Sequence, residues 1–432
     1  MATLRQLAQV AKIEFGTAIE AGYYFGSIAA APAAYRTIAA AEFSQIAGAW
    51  DSFMFGLTET SAGVYDYTKA DEYVAFAQAN AQKVWADGIF AGPNGYYPAW
   101  LTGGGYTPAQ LAVIQQNHIN SWFAHFGSSL DVCLVANECF EVDGSGYYAP
   151  ILCLWNSTPE STAWIEQAFI WAAAARSPGT KLYYNDFAFE FGGDKANIIR
   201  AWVSSARSRG VPIDGMGFQC HWNVGDVTTV NLAALRSNIE SFRALDVEVQ
   251  ITELDIGIAD NTQASLDAQR EAYRRVVETA ILAGVKGITT WGFTDAVSWR
   301  TADRPLLYDA SYVAKPSYYG VAEALTNTVP EFISAVTVGV GIQASAPTVT
   351  ASRSVYQAPS IFCPITLPAP VVTRMEMASV QAASATMPVN MFSPAVRVRT
   401  VGTQISINGA LGSARWWSGS DWIPVNVRVG PY

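Results

Sequence analysis

The nine residues "VEVQITELD" (247–255) alternate Val247, Val249 and Ile251 with polar residues, then carry two acids, Glu253 and Asp255, where the apolar run ends. β-Branched residues of this kind favour a strand. Side chains at i and i+2 on a strand face the same way, so both carboxylates project together from the C-terminal tip. Two neighbouring acids inside a protein lose hydration and repel each other, a standing cost unless they are paired or used.

Seven further short apolar runs lie in the first three quarters of the chain: "GYYFGS", "FSQIAGAW", "KVWADGIFA", "LDVCLVAN", "KLYYNDF", "IDGMGFQC" and "GITTWGF". Between them stand segments of helical period such as "YTKADEYVAFAQANAQ", "TPAQLAVIQQNHINSWFAHF" and "LDAQREAYRRVVETAILAG". Eight strands alternating with helices predict a (β/α)8 TIM barrel over residues 1–325. A doubly wound open sheet is the rival, but no Gly-rich phosphate loop follows an early strand. Several runs end in polar residues: Asn137 and Glu138, Asn185 and Asp186, Gln219 and His221, Glu253 and Asp255. A barrel builds its active site at those ends.

Beyond residue 326 the chain is rich in Val, Ala, Ser, Thr and Pro and carries only three acids, Glu331, Glu376 and Asp421. Short β-prone runs broken by Pro and Gly predict a smaller β-rich domain or arm over 326–432. Its end, "RWWSGSDWIPVNV", reads as a hairpin around "SGS".

Composition narrows the function. A formal charge of −10 argues against a phosphate-backbone partner, so no nucleic acid is expected. No apolar run reaches membrane-spanning length, and no membrane insertion is expected. The N-terminus carries Arg5, Lys12 and Glu14 in a helical alternation where a signal peptide needs a continuous apolar core, so Sec export is not expected. Five cysteines without CxxC spacing and three histidines give no disulfide framework or zinc cage, and neither metal nor cofactor is expected. His118 and His125, seven apart, share a helical face and read as structural.

The tips of "VANE" (135–138) and "ITELD" (251–255) place Glu138 and Glu253 across one barrel mouth. Glycoside hydrolysis requires such a pair, one acid to protonate the leaving oxygen and one carboxylate to attack the anomeric carbon or activate water.

The blocks "VANECFEVDG", "KLYYNDFAFE", "VPIDGMGFQCHW", "ITELDI", "WGFTDAVSWR" and "RPLLYDASYVAKPSYYGV" occur in this order. Over residues 18–325 they resemble the glycoside hydrolase family 10 endo-xylanases, retaining (β/α)8 enzymes. The resemblance makes Glu138 the acid/base, Glu253 the nucleophile and Asn137 the partner of a sugar 2-hydroxyl. It sets Gln219 and His221 beside the nucleophile, with His221 holding Glu253 ionised and Asp255 behind His221. Asn185 joins the binding set, and Trp291 and Trp299 match the aromatic floor and lid of the sugar subsites. The chain departs from the family where it grips the sugar on the far side of the scissile bond. "AWDSFMF" (49–55) puts Trp50 and Asp51 where a segment like "NEMKW" is usual, and "WADGIFAG" (85–92) puts Asp87 where a His is expected. Cys133 and Leu134 replace a Trp-Asp pair, and Ala188 replaces an Asn. Asp51 and Asp87 read either as contacts to a different sugar or as partners of a nearby Arg.

The C-terminal "RWWSGSDWIPVNVRVG" resembles the closing hairpin of bacteriophage tail and other virion proteins. These resemblances together imply a retaining endo-glycosidase cleaving a β-linked bacterial surface or cell-wall glycan. They place it on a phage tail or otherwise outside the cell, with virion proteins as partners of residues 326–432. Two alternatives stand beside this: an inactive glycan-binding or structural tail protein, and a plant-polysaccharide xylanase.

Overall fold

A computed structural model of the chain describes residues 2–48, 51–92, 94–142, 148–150, 153–155 and 161–328, and beyond these the strand segments named below. The chain divides into two compact units, 1–328 and 329–432.

Eight parallel strands form the first unit: β1 Glu14–Ile19, β2 Gln45–Gly48, β3 Lys83–Ala86, β4 Val132–Asn137, β5 Lys181–Asp186, β6 Gly215–Phe218, β7 Glu248–Gly257 and β8 Gly287–Thr290. Each pairs with its sequence neighbour, and β1 pairs with β8, so the sheet closes on itself. Helices α1 Leu4–Ala11, α2 Ala33–Glu42, α3 Thr68–Ala79, α4 Pro108–Phe126, α5 Ala163–Ala175, α6 Asp194–Ser208, α7 Thr229–Arg243, α8 Gln263–Ala283 and α9 Pro316–Asn327 precede, connect and follow the strands. This is the (β/α)8 TIM barrel that the alternation predicts.

Local chemistry sets the element ends. Thr107 caps α4 in a capping box with Gln110, and Pro108 stands at the first helical position. Gly284 closes α8 in the left-handed region at φ 85°. His118 and His125 on α4 are structural: His118 is buried and bonded to Glu59 at 2.8 Å, and His125 is bonded to Asp71 at 2.7 Å.

One expected strand is corrected. "GYYFGS" is not β1, because Ala21–Phe25 is a short helix, and β1 is the preceding "EFGTAI". The helical period of the N-terminus ends at Lys12, which turns left-handed at φ 56° and stops α1. β1 is buried on both faces, so its composition carries no strand alternation.

Ala18, Ala47, Trp85, Val132, Leu134, Tyr183 and Trp291 form a cluster of their own. Most of these come from inward positions of successive strands, so they fill the barrel interior beneath the mouth, as close packing requires. The much larger second cluster lies between strands and helices. Asp51 and Asp87 pair with no arginine among the described residues. Asp51 instead accepts from the Tyr73 hydroxyl at 2.7 Å and the Tyr23 N–H at 2.6 Å.

In the second unit, Val338–Ala344 pairs with Cys363–Leu367 and Ala385–Thr386. Val396–Thr400, Thr403–Asn408, Ser413–Trp417 and Trp422–Asn426 form an antiparallel sheet in sequence order. The expected terminal hairpin has Trp417 opposite Trp422; its "SGS" turn lies outside the described residues.

Candidate active site

The C-terminal tips of β4, β5, β6 and β7 carry one continuous hydrogen-bond network. Its backbone is strained where it bears function. Glu138, one residue past β4, has φ 55°, and Cys220, between Gln219 and His221, has φ 66°. The left-handed region costs a non-glycine residue about 1–2 kcal/mol. Such strain persists only where neighbours fix it, and here the Glu138 N–H is held by the Asn185 carbonyl at 2.9 Å and the Cys220 N–H by Glu190 at 2.9 Å.

Asn185 is the hub. Its Nδ2 donates to Glu253 Oε1 at 2.7 Å and to Asn137 Oδ1 at 2.9 Å, while its Oδ1 accepts from the Thr252 hydroxyl at 2.7 Å. Thr252 and Glu253 are adjacent, yet both reach Asn185. The register between β7 and β8 shifts across Ile251–Leu254, and this irregularity breaks the alternation. Gly217 on β6 leaves the space that Asn185 fills, since a Cβ there would lie 2.1 Å from its Oδ1. Gln219 Nε2 donates to Glu138 Oε1 at 2.8 Å and lies 3.4 Å from Asn137 Oδ1.

His221 joins the two acids of β7. Its Nε2 lies 3.0 Å from Glu253 Oε2 and its Nδ1 2.8 Å from Asp255 Oδ2. Burial opposes a proton on this ring, but the hydrogen bonds to Asp255 and then Glu253 outweigh it and hold its pKa at about 10. His221 is therefore a cation clamped between two carboxylates, donating from both nitrogens. Asp255 also accepts from the Trp299 indole N–H at 2.9 Å and from Arg300 Nη1 at 2.6 Å. Burial pushes the Glu253 carboxyl above its ordinary range, His221 and Asn185 pull it back, and the charge of Glu138 adds to the rise.

The network opens on a cavity of about 520 Å³ lined by Glu138, Gln219, His221, Glu253, Trp299 and the aromatic rings Phe187, Phe191 and Trp222, among others. Trp299 is 49% exposed, with its ring 5.0 Å from that of His221. Trp291 is buried with the barrel-filling cluster, 6.4 Å from His221. Asp87 is buried just past β3, and burial followed by the charges of Glu253 and Glu138 drives its pKa well up. Trp50 lies outside the described residues. A larger cavity, about 670 Å³, opens among the strand beginnings at the other end of the barrel. Two of its lysines are paired with acids there, Lys83 with Glu14 and Lys181 with Glu248.

The structure thus assembles Asn137, Glu138, Asn185, Gln219, His221, Glu253, Asp255 and Trp299 in one place. Sequence reasoning missed Arg300, Phe187, Phe191, Trp222 and Glu190. It also missed Tyr96, whose hydroxyl burial and the charges of Glu138, Glu253 and Asp87 push up to about 12. Arg300, Trp222, Phe187 and Glu190 stand in the quoted blocks "WGFTDAVSWR", "VPIDGMGFQCHW" and "KLYYNDFAFE" and had a readable place; Phe191 and Tyr96 had none.

Comparison with known proteins agrees with this geometry. The family model described as Glycosyl hydrolase family 10 matches residues 3–324. Endo-1,4-beta-xylanase B of Thermotoga neapolitana is 31% identical over 340 residues, covering 76% of this chain and 93% of that protein. Endo-1,4-beta-xylanase A of Phanerodontia chrysosporium is 32% identical over 344 residues, covering 76% and 78%. The crystal structure of xylanase 10B from Thermotoga petrophila in complex with xylobiose matches with a TM-score of 0.68 at 28% identity, over 76% of this chain and 98% of that one. The chain belongs to glycosyl hydrolase family 10 and is a retaining endo-glycoside hydrolase of a β-linked polysaccharide that works through two glutamates.

Proposed function

We propose that Glu253 is the nucleophile and Glu138 the general acid/base of an endo-β-1,4-glycosidase acting on a xylan-type polymer. The observation that carries this reading is the His221 ring held between Glu253 and Asp255, within hydrogen-bond distance of both. It keeps a buried carboxylate ionised and oriented, as attack on an anomeric carbon requires.

In this reading Glu138 gives its proton to the glycosidic oxygen as Glu253 Oε bonds to the anomeric carbon and the C–O bond to the leaving sugar breaks. Water then enters, Glu138 takes its proton, and the ester to Glu253 opens. Asn137 has its carbonyl occupied by Asn185 and Gln219, which leaves its amide N–H groups for a sugar 2-hydroxyl. Trp299 is fixed through its indole N–H and offers its ring face to a sugar beside the leaving group. Trp291 and Asp87 belong to the subsites on the other side of the scissile bond.

A second reading is a bacterial surface or cell-wall glycan, with the enzyme displayed on a phage tail through residues 326–432. The buried Asp87, in place of the family's histidine, favours a glycan other than xylan. One panel tests both: reducing-end release from xylans and bacterial cell-wall polysaccharides by wild type beside Glu253→Gln. Release by wild type alone supports Glu253 as nucleophile, and the responding glycan chooses the substrate. Equal glycan binding by both proteins without any release would leave a binding or scaffold protein instead. Detection of the chain in purified phage particles decides the virion setting.

A further inference from the structure

Asp255 collects three donors on one buried carboxylate. Its Oδ2 accepts from His221 Nδ1 at 2.8 Å and from the Trp299 indole N–H at 2.9 Å, and its Oδ1 accepts from Arg300 Nη1 at 2.6 Å. The first donor leads to Glu253, since His221 Nε2 lies 3.0 Å from Glu253 Oε2. The second leads to the cleft, because Trp299 lines the cavity with half of its surface exposed. The third leads to neither. Arg300 lies outside the cavity lining, with its side chain only 12% exposed.

The surroundings of Arg300 fix that carboxylate in place. The short strand His221–Asn223 runs parallel to β7 over Asp255–Gly257. The guanidinium ties the two together: Nη1 also donates to the Trp222 carbonyl at 2.9 Å, and Nη2 donates to Asn223 Oδ1 at 2.7 Å. Its Nε donates to Asp303 Oδ2 at 3.0 Å. Gly257 leaves the room, since a Cβ there would sit 2.6 Å from Asn223 Oδ1 and 2.9 Å from Arg300 Nη2. A planar guanidinium sets its acceptors in one fixed arrangement that the single nitrogen of a lysine does not reproduce.

Arg300 also completes the charge. With Glu253 and Asp255 ionised and His221 protonated, its cation brings the group to neutrality. The other groups that act on Glu253 are Glu138 from β4, Asp87 past β3, Tyr96 and Cys220, and Glu190 acts on His221. Asp255 is faced by Glu20 past β1, by Cys220 and by Tyr273 of α8. We propose that Arg300 is a positioning residue of the reaction: by locking Asp255 it sets both the tilt of His221 against Glu253 and the pose of the Trp299 platform. This rests on the reading of Glu253 as nucleophile.

The test is steady-state kinetics across pH with the full-length protein, on xylohexaose or on whichever glycan of the panel wild type cleaves. Arg300→Met removes both the charge and the fork. Its kcat should fall by at least about tenfold, more than KM rises, because Arg300 lies outside the cavity and acts through Glu253. Glu253 must be ionised to attack, and without Arg300 the group around it carries a net negative charge. The acid limb of kcat/KM should therefore move to higher pH by at least about half a unit. Arg300→Lys restores the charge without the fork, so its limb should return to the wild-type position while kcat recovers only in part. Should Arg300→Met fail to fold by circular dichroism, Arg300→Gln carries the same movement of the limb. Wild-type kcat in folded Arg300→Met, or an unmoved limb in whichever neutral variant folds, overturns the proposal and leaves Arg300 a loop-packing residue. Failure of the two-glutamate assignment shows separately, as glycan release by Glu253→Gln at the wild-type rate.

Discussion

The two sides of the barrel mouth treat the same problem in opposite ways. At β4–β7 the buried acids of the strand tips are paired: Glu253 and Asp255 share His221, Arg300 adds to Asp255, and Lys195 meets Asp186, while Glu190 is held by the Cys220 N–H. At β1–β3 the buried acids Glu20, Asp51 and Asp87 have no bonded cation among the described residues. Pairing fixes geometry before substrate arrives, which is what a reaction centre needs. Leaving buried acids without a cation costs stability.

The largest effect should come from the paired side. Glu253→Gln keeps shape and removes the nucleophile, so kcat should fall by about 10⁴-fold or more, about 5.4 kcal/mol of barrier at 1.36 kcal/mol per decade. Steady-state kinetics on whichever glycan wild type cleaves will check this. A loss under tenfold would mean that Glu253 does not attack. Next comes stability. Lys195→Met leaves Asp186 buried without its cation and should cost about 3 kcal/mol in urea unfolding. Lys195→Met combined with Asp186→Asn should recover much of that loss, because the penalty belongs to the orphaned charge.

His221 sharpens the comparison through pH. Glu253 must be ionised to attack, and burial already raises its pKa, so activity falls as pH drops through that raised value. His221→Asn removes the cation that pulls the value back. The acid limb of kcat/KM should move to higher pH by about 1–3 units. An unmoved limb, with activity merely scaled down, would make His221 a packing residue.

Much of the paired side was legible in the sequence because its chemistry sits on strand tips. Glu138, Gln219, Glu253 and Asp255 each end an apolar run, and the i, i+2 spacing of the last two put their carboxylates on one face; His221 between them came only with the resemblance. β1 was misplaced because a strand buried on both faces has no alternation to read. Thr252 was invisible as a network member, since strict alternation turns it away from Glu253 and the irregularity in β7 turns it back. Gly217 gave no sign of its role either: the space it leaves for Asn185 is a property of two strands together. On the unpaired side, sequence marked Asp51 and Asp87 only as departures and left an arginine partner open for both. Glu20 passed unnoticed because it follows the strand that was misread.

Glu20 gives the smallest effect and the cleanest sign. Burial, then the charges of Asp51 and Asp255, raise its carboxyl from 4.5 to about 7. An unfolded chain releases this proton first, so between about 4.5 and 7 the native state holds more protons and stability falls as pH rises. The full displacement corresponds to about 3 kcal/mol at 1.36 kcal/mol per pKa unit, an upper bound once water and relaxation soften the site. Glu20→Gln does not titrate. Its stability relative to wild type should therefore be flat below about pH 4, climb through the window and level off above about pH 7. Urea unfolding at half-unit pH steps will show that curve. A difference that ignores pH would mean Glu20 is compensated in the native protein, and the contrast between the two sides of the mouth would then rest on Asp51 and Asp87 alone.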